Sequence, residues 1–161
     1  MICLMRLVRP RQRQGIEMKA ADIMTRNVEV VRPEDSLQKA ASIMDNLNIG
    51  FLPVHDGKRV VGVITDRDIT VRAVSADLSP NMTNVNEAMT DEVHFCLEDD
   101  AINDVVKHMI DTQIRRLLVF THDNRLVGVI SLGDIATHAG EHGVAEALRG
   151  ISEPSRPDRK T

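Results

Sequence analysis

The stretch GVITDRDI (Gly62–Ile69) returns as GVISLGDI (Gly128–Ile135). Both follow an apolar run rich in Val and Leu. Both keep a hydroxyl three residues ahead of an acid, Thr65 before Asp68 and Ser131 before Asp134. An apolar run that twice ends on the same hydroxyl–carboxylate pair points to one structural unit present in two copies.

Outward from these stretches the chain overlays on itself with a shift of 65 residues. Met24-Thr25 falls on Met89-Thr90, Asp35 on Asp100, Met44 on Met109, Ile49 on Ile114 and Leu52 on Leu117. Past the turns HDGKR and THDNR the shift grows to 66, and Val61–Ile64 falls on Val127–Ile130. Length changes settle in turns because a longer loop costs little closure entropy. Two copies are too few for a solenoid. The expectation is a pseudo-two-fold pair in which each copy covers the other's apolar face.

Each copy predicts the same layout. A short extended piece comes first (Val28–Val31; Val93–Leu97). A helix follows, with apolar residues at Leu37, Ala40, Ala41, Met44 and Leu47, and at Ile102, Val105, Val106, Met109 and Ile110. That spacing draws one stripe on a helix. Asp35 and Asp100 are placed to cap these helices. Two strands then form a hairpin, Phe51–Val54 with Val60–Ile64 and Leu117–Phe120 with Leu126–Ile130, joined at Asp56-Gly57 and Asp123-Asn124. A second helix starts directly after Thr65 and Ser131. The fold class expected is α/β (α+β): two β-α-β-β-α units with sheets packed against helices.

The totals agree. The chain has 161 residues, 42% of them apolar, with no Trp, no Tyr and three Phe, so aliphatic residues must build the core. Net charge is −4, yet residues 1–17 hold four Arg against one Glu. The acidic body makes nucleic acid an unlikely partner, because clustered bases are needed to neutralise phosphates. Only the Arg-rich amino-terminal tail could serve that alternative. The apolar start of that tail, Met1–Met5, is too short for a secretory signal. A basic tail, or a true start at Met18, accounts for it. Cys3 and Cys96 form no metal or redox spacing, and no apolar run suits a membrane span. A cytoplasmic protein is expected. Of the six His, only His138 and His142 stand four apart on one segment, and Gly140 and Gly143 weaken a helix there. No metal is expected.

The expected organisation is a disordered tail at 1–17, repeat one at 18–79, repeat two at 80–140, a short helix at 141–151 docking through Val144, Ala145 and Leu148, and a disordered tail at 152–161.

Two roles stay open for the repeated pair. Thr65 and Ser131 suit N-caps, and Asp68 and Asp134 suit a first helical turn. The same groups suit a nucleotide: phosphate near the hydroxyl and the backbone N–H groups of a helix start, with a ribose diol on the acid.

The segments IGFLPVHDGKRVVGVITDRDI and IRRLLVFTHDNRLVGVISLGDI resemble the CBS domain, the cystathionine-beta-synthase-type repeat, as a tandem pair or Bateman module. The resemblance spans about residues 18–140 and is nearest to small stand-alone bacterial pairs of the hypoxia-response type. It implies a non-enzymatic sensor that binds an adenine nucleotide such as AMP, ADP, ATP or NAD (S-adenosylmethionine is a further choice), needs no other cofactor, forms a homodimer and signals to an effector protein. It implies slot walls from Thr25, Val28, Thr90 and Val93, and from Leu52, Pro53, Leu117 and Leu118. It also implies phosphate contacts from Arg115 and Arg116, the alternative being two solvated charges at a strand start, while Arg67, inside the first signature, could approach a phosphate in the first site or pair with Asp66. The alternative is a structural dimerisation module with empty clefts. No Ser/His/Asp order and no phosphate-loop lysine motif supports an enzyme.

Overall fold

The computed structural model describes residues 18–138 and 148–151. Expectations for 1–17, 139–147 and 152–161 lie outside these residues. The elements run α1 (Ala20–Ile23), α2 (Leu37–Leu47), β1 (Phe51–His55), β2 (Val60–Thr65), α3 (Asp66–Asp68), β3 (Phe95–Leu97), α4 (Ile102–Thr112), β4 (Arg116–Phe120), β5 (Leu126–Ser131) and α5 (Leu132–His138). After α3 the chain continues as a π-helical turn over Ile69–Ala73 and a 3₁₀ turn over Val74–Ala76.

β1 and β2 form a two-stranded antiparallel hairpin, whereas β3, β4 and β5 form a three-stranded sheet in which β3 runs parallel to β4. The first repeat's extended piece makes one isolated bridge, Val31 to Val54, instead of the expected strand. Pro53 is the reason. In the second repeat Leu118 N–H donates to the carbonyl of His94 at 3.2 Å. Pro53 holds the position of Leu118 and Glu29 that of His94. Proline has no N–H, so the rung to Glu29 cannot form.

The helix stripes are narrower than their sequence suggests. Leu37, Ala40 and Met44 are buried on α2, and Ile102, Val105, Val106 and Met109 on α4. Ala41 and Leu47 face outward. Each large buried apolar side chain contributes about 1.5–3 kcal/mol relative to exposure. The caps also differ from expectation. Ser36 caps α2, its Oγ accepting from Lys39 N–H at 3.2 Å, and Ala101 holds the same place before α4. Asp35 and Asp100 sit one residue earlier, where their carboxylates accept from the N–H groups of Arg32 (2.9 Å) and Leu97 (2.8 Å).

Two apolar cores result, and each draws on both repeats. Ala20, Ile23 and Met24 pack with Cys96, the α4 stripe, Leu117, Val119 and Ile130. Val85 and Ala88 pack with Val31, the α2 stripe, Leu52, Val54 and Ile64. The segment that opens each repeat therefore crosses to the other hairpin, and a cut between residues 79 and 80 does not separate the cores. The crossing has matched hydrogen bonds: Ala20 N–H to Asp100 O at 2.9 Å and Val85 N–H to Asp35 O at 2.8 Å. Cys96 belongs to this packing. Burial, with Asp100 beside it, pushes its thiol up to about 12, so it acts as a small apolar side chain. At the far end Ile151 docks on the core built around α4, the second repeat's core, while Leu148 stays exposed.

Candidate functional site

The crossing segments build the site. Thr25 and Val129 exchange backbone hydrogen bonds of 2.9 and 3.0 Å, and Thr90 and Val63 exchange bonds of 2.8 and 2.9 Å. Gly62 and Gly128 admit them. A Cβ on Gly62 would stand 2.8 Å from Thr90 O, and one on Gly128 would run into the Met24 side chain. The glycine of the repeated signature is thus fixed by a close approach of the crossing chain.

Two clefts follow. The first, of about 640 Å³, brings Thr65, Arg67 and Asp68 together with Thr90, Arg115 and Arg116. The second, of about 420 Å³, brings Ser131 and Asp134 together with Thr25, Val28 and Arg116. Both fall within the range of small-molecule sites, roughly 300–1,000 Å³. Each signature thus meets the opening segment of the other repeat. The paired walls expected along the chain do not all arrive: Leu52, Pro53, Leu117 and Leu118 are buried in strands and line neither of these clefts, and half-buried Val93 lines neither. Strand alternation with both faces covered puts these residues inside.

Both hydroxyl–acid pairs form capping boxes. Thr65 N–H donates to Asp68 Oδ2 at 3.0 Å, Thr65 Oγ1 donates to the same oxygen at 2.7 Å, and Asp68 N–H donates back to Thr65 Oγ1 at 3.0 Å. Ser131 and Asp134 repeat the set at 2.7, 2.6 and 3.2 Å. The remaining N–H groups at the start of α3 are occupied as well, Asp66 by Gly50 O and Arg67 by Asp66 Oδ1. The first helix start therefore offers no unoccupied amide to an anion, contrary to the sequence expectation.

Positive charge comes from side chains. Arg67, Arg115 and Arg116 line the first cleft, and none has a carboxylate partner among the described residues. The acids beside them are engaged: Asp66 with Arg67 N–H, Asp68 in its box, and Glu92 at 3.5 Å from His94. Arg116 lies over the Phe51 ring at 5.9 Å.

Arg72 escaped the sequence reading. It donates to the carbonyls of Ala88 (2.9 Å) and Met89 (2.6 Å) and stands 3.6 Å from Asp68 Oδ1, tying the acid to the crossing segment. The i, i+4 acid–base spacing of Asp68 and Arg72 was the available signal. Phe51, Glu92, His94 and the turn Leu47–Gly50 are further lining groups with no motif of their own. His138 Nδ1 sits 2.9 Å from Asp134 O, and its spaced companion His142 lies outside the described residues.

Two α/β repeats, interlocked by exchanged segments and enclosing two polar clefts, define a tandem-repeat module. The chain belongs to the CBS domain family, whose model matches residues 20–74 and 85–141. It is 34% identical to Hypoxic response protein 1 of Mycobacterium tuberculosis over 84% of this chain and 94% of that one. It is 36% identical to the CBS domain-containing protein YhcV of Bacillus subtilis over 81% of this chain and 93% of that one. Among solved structures, Hypoxic Response Protein I with two coordinated zinc ions superposes with a TM-score of 0.68 at 34% identity, covering 75% of this chain and 98% of that one. CBSX2 in complex with AMP superposes with a TM-score of 0.66 at 25% identity, covering 75% and 95%. Among the described residues of this chain no three His, Cys, Asp or Glu side chains converge to hold a metal ion. Nor is any described helix long and apolar enough to cross a membrane.

Proposed function

We propose that the clefts bind an adenine nucleotide, AMP, ADP, ATP or NAD, and that the protein is a non-enzymatic sensor that passes occupancy to an effector protein, most simply as a homodimer. One observation carries this reading: three guanidiniums without carboxylate partners line the cleft that also presents Asp68. Guanidinium forks suit phosphate oxygens. Asp68 and Asp134 each commit Oδ2 to the capping box; Oδ1 of Asp134 is left to accept from a ribose diol, and Oδ1 of Asp68 accepts one beside its 3.6 Å ion pair with Arg72. With the first helix start occupied, the phosphates go to the arginines, and Thr65 contributes only by exchanging its bond to Asp68. The AMP complex of CBSX2 supports the ligand class. Because each cleft is walled by both repeats, a ligand that prefers one arrangement of the repeats shifts the equilibrium toward it.

Calorimetric titration with the four nucleotides tests the reading, using wild type, Asp68→Ala and Asp134→Ala. A hydrogen bond to a charged group is worth roughly 1.5–3 kcal/mol, so each variant should lose about ten- to a hundredfold at one cleft and keep the other. Wild-type protein that neither releases heat nor gains thermal stability with any of them refutes it.

A further inference from the structure

Phe51 and Arg116 occupy the same position in the two repeats, one register step before Leu52 and Leu117. They meet, with the Arg116 guanidinium over the Phe51 ring, 5.9 Å from its centroid. Both residues line both clefts. Equivalent positions that meet face to face lie on the pseudo-two-fold axis. Whatever stands there belongs to the two sites at once. A fully symmetric pair would place two cations or two rings at this point; this chain places one of each.

The remaining charge is unevenly divided. The first cleft has Arg67 and Arg115 besides Arg116, three bases against Asp66, Asp68 and Glu92. The second has Arg116 alone, together with Glu29 and Asp134. Arg116 has no hydrogen bond or ion pair to another side chain among the described residues, so the ring is the contact that holds it at the boundary. A guanidinium over a ring face at an exposed site is held weakly, and a phosphate draws it away.

We infer that Arg116 is a single cation shared by the two clefts, so that a phosphate held in the first withdraws it from the second. The inference rests on the nucleotide reading and adds the coupling between sites. With the first cleft filled, the second is left with two carboxylates and no base. It then rejects phosphate and accepts only an uncharged nucleoside. Adenosine, which makes no demand on Arg116, should fill the two clefts independently.

The test is a binding cycle by calorimetry with AMP, ATP and adenosine. Asp68→Ala weakens the first cleft, so that the second fills with Arg116 available to it. The second binding step of wild type reports the same cleft with Arg116 withdrawn. For ATP the former should be tighter by roughly tenfold or more, the worth of one charged hydrogen bond. That gap should close in Arg116→Ala and be absent for adenosine in wild type. The wild-type comparison of ATP with adenosine needs no variant, so a poorly folding Asp68→Ala leaves the test intact. Two equal, independent ATP sites in wild type, or a gap that persists in Arg116→Ala, overturns the shared cation and leaves the nucleotide reading standing. No binding of AMP, ATP or adenosine overturns both.

Discussion

Val63 and Thr90 exchange both of their backbone hydrogen bonds, at 2.9 and 2.8 Å, although one lies in the second strand of the first hairpin and the other opens the second repeat. The exchange makes the repeats interdependent. A fragment of residues 18–79 would lack Val85 and Ala88 from its core and would expose Ala20, Ile23 and Met24. Such a fragment should show no cooperative unfolding by circular dichroism, whereas the full chain should unfold in one transition. Two transitions in the full chain, or a stable fragment, would count against the interlocked description.

The two signature glycines should differ in their tolerance of alanine. At Gly62 the added Cβ meets a backbone carbonyl, Thr90 O, at 2.8 Å. At Gly128 it meets the side chain of Met24, whose Sδ and Cγ can rotate away and whose Cβ, at 3.1 Å, needs a shift of only a few tenths of an ångström. Overpacking costs about 1–3 kcal/mol, and Gly62→Ala should stand at the upper end. Gly128→Ala should cost clearly less. Urea denaturation of the two variants checks the order.

The repeat, the hairpins and the clustered signatures were legible from periodicity because both copies keep the same apolar spacing. Which repeat each opening segment packs on was not. Thr25 lies as close in sequence to its own hairpin as Thr90 does to the second, and a shift of 65 residues is the same whether the segments stay or cross. Only the close approach over Gly62 and Gly128 distinguishes the two. Pro53 carried a readable signal, since a proline within an inner strand argues against a third rung. The N-cap reading of Thr65 is borne out by the geometry, which adds the reciprocal bond from Thr65 N–H to Asp68. A ligand role adds to that structural one and does not replace it.

The boxes themselves predict a stability effect. Thr65→Ala and Ser131→Ala each remove an N-cap, a loss of about 0.5–2 kcal/mol. Thermal melts of the unliganded proteins should show both decreases. A ligand-only role for these hydroxyls would leave the melts unchanged.

One ion pair should report on pH. The Asp99 carboxylate, through a hydrogen bond of 3.2 Å and its charge, raises His122 above the ordinary histidine value of 6.5, and Asp99 is lowered in return. Protonated His122 is therefore favoured in the folded chain. Its contribution is fully present below the unfolded histidine value and is lost as pH rises through the elevated folded one. Both groups are solvent-exposed, so the effect on stability is slight. Proton NMR should place the His122 midpoint above that of a free histidine, and Asp99→Asn should return it.

The exchanged opening segments also order events on the ribosome. A chain emerging from its amino end presents α1 first, yet the surface that receives α1 includes Ile102, Met109, Leu117 and Ile130. The first core can close as soon as Val85 and Ala88 emerge. Throughout that interval Ala20, Ile23 and Met24 remain uncovered, waiting for a partner that has not been translated. Domains generally fold as units as synthesis proceeds, and apolar surface left bare in a partly made chain invites association. In this protein the earliest residues of the fold are among the last to find their place.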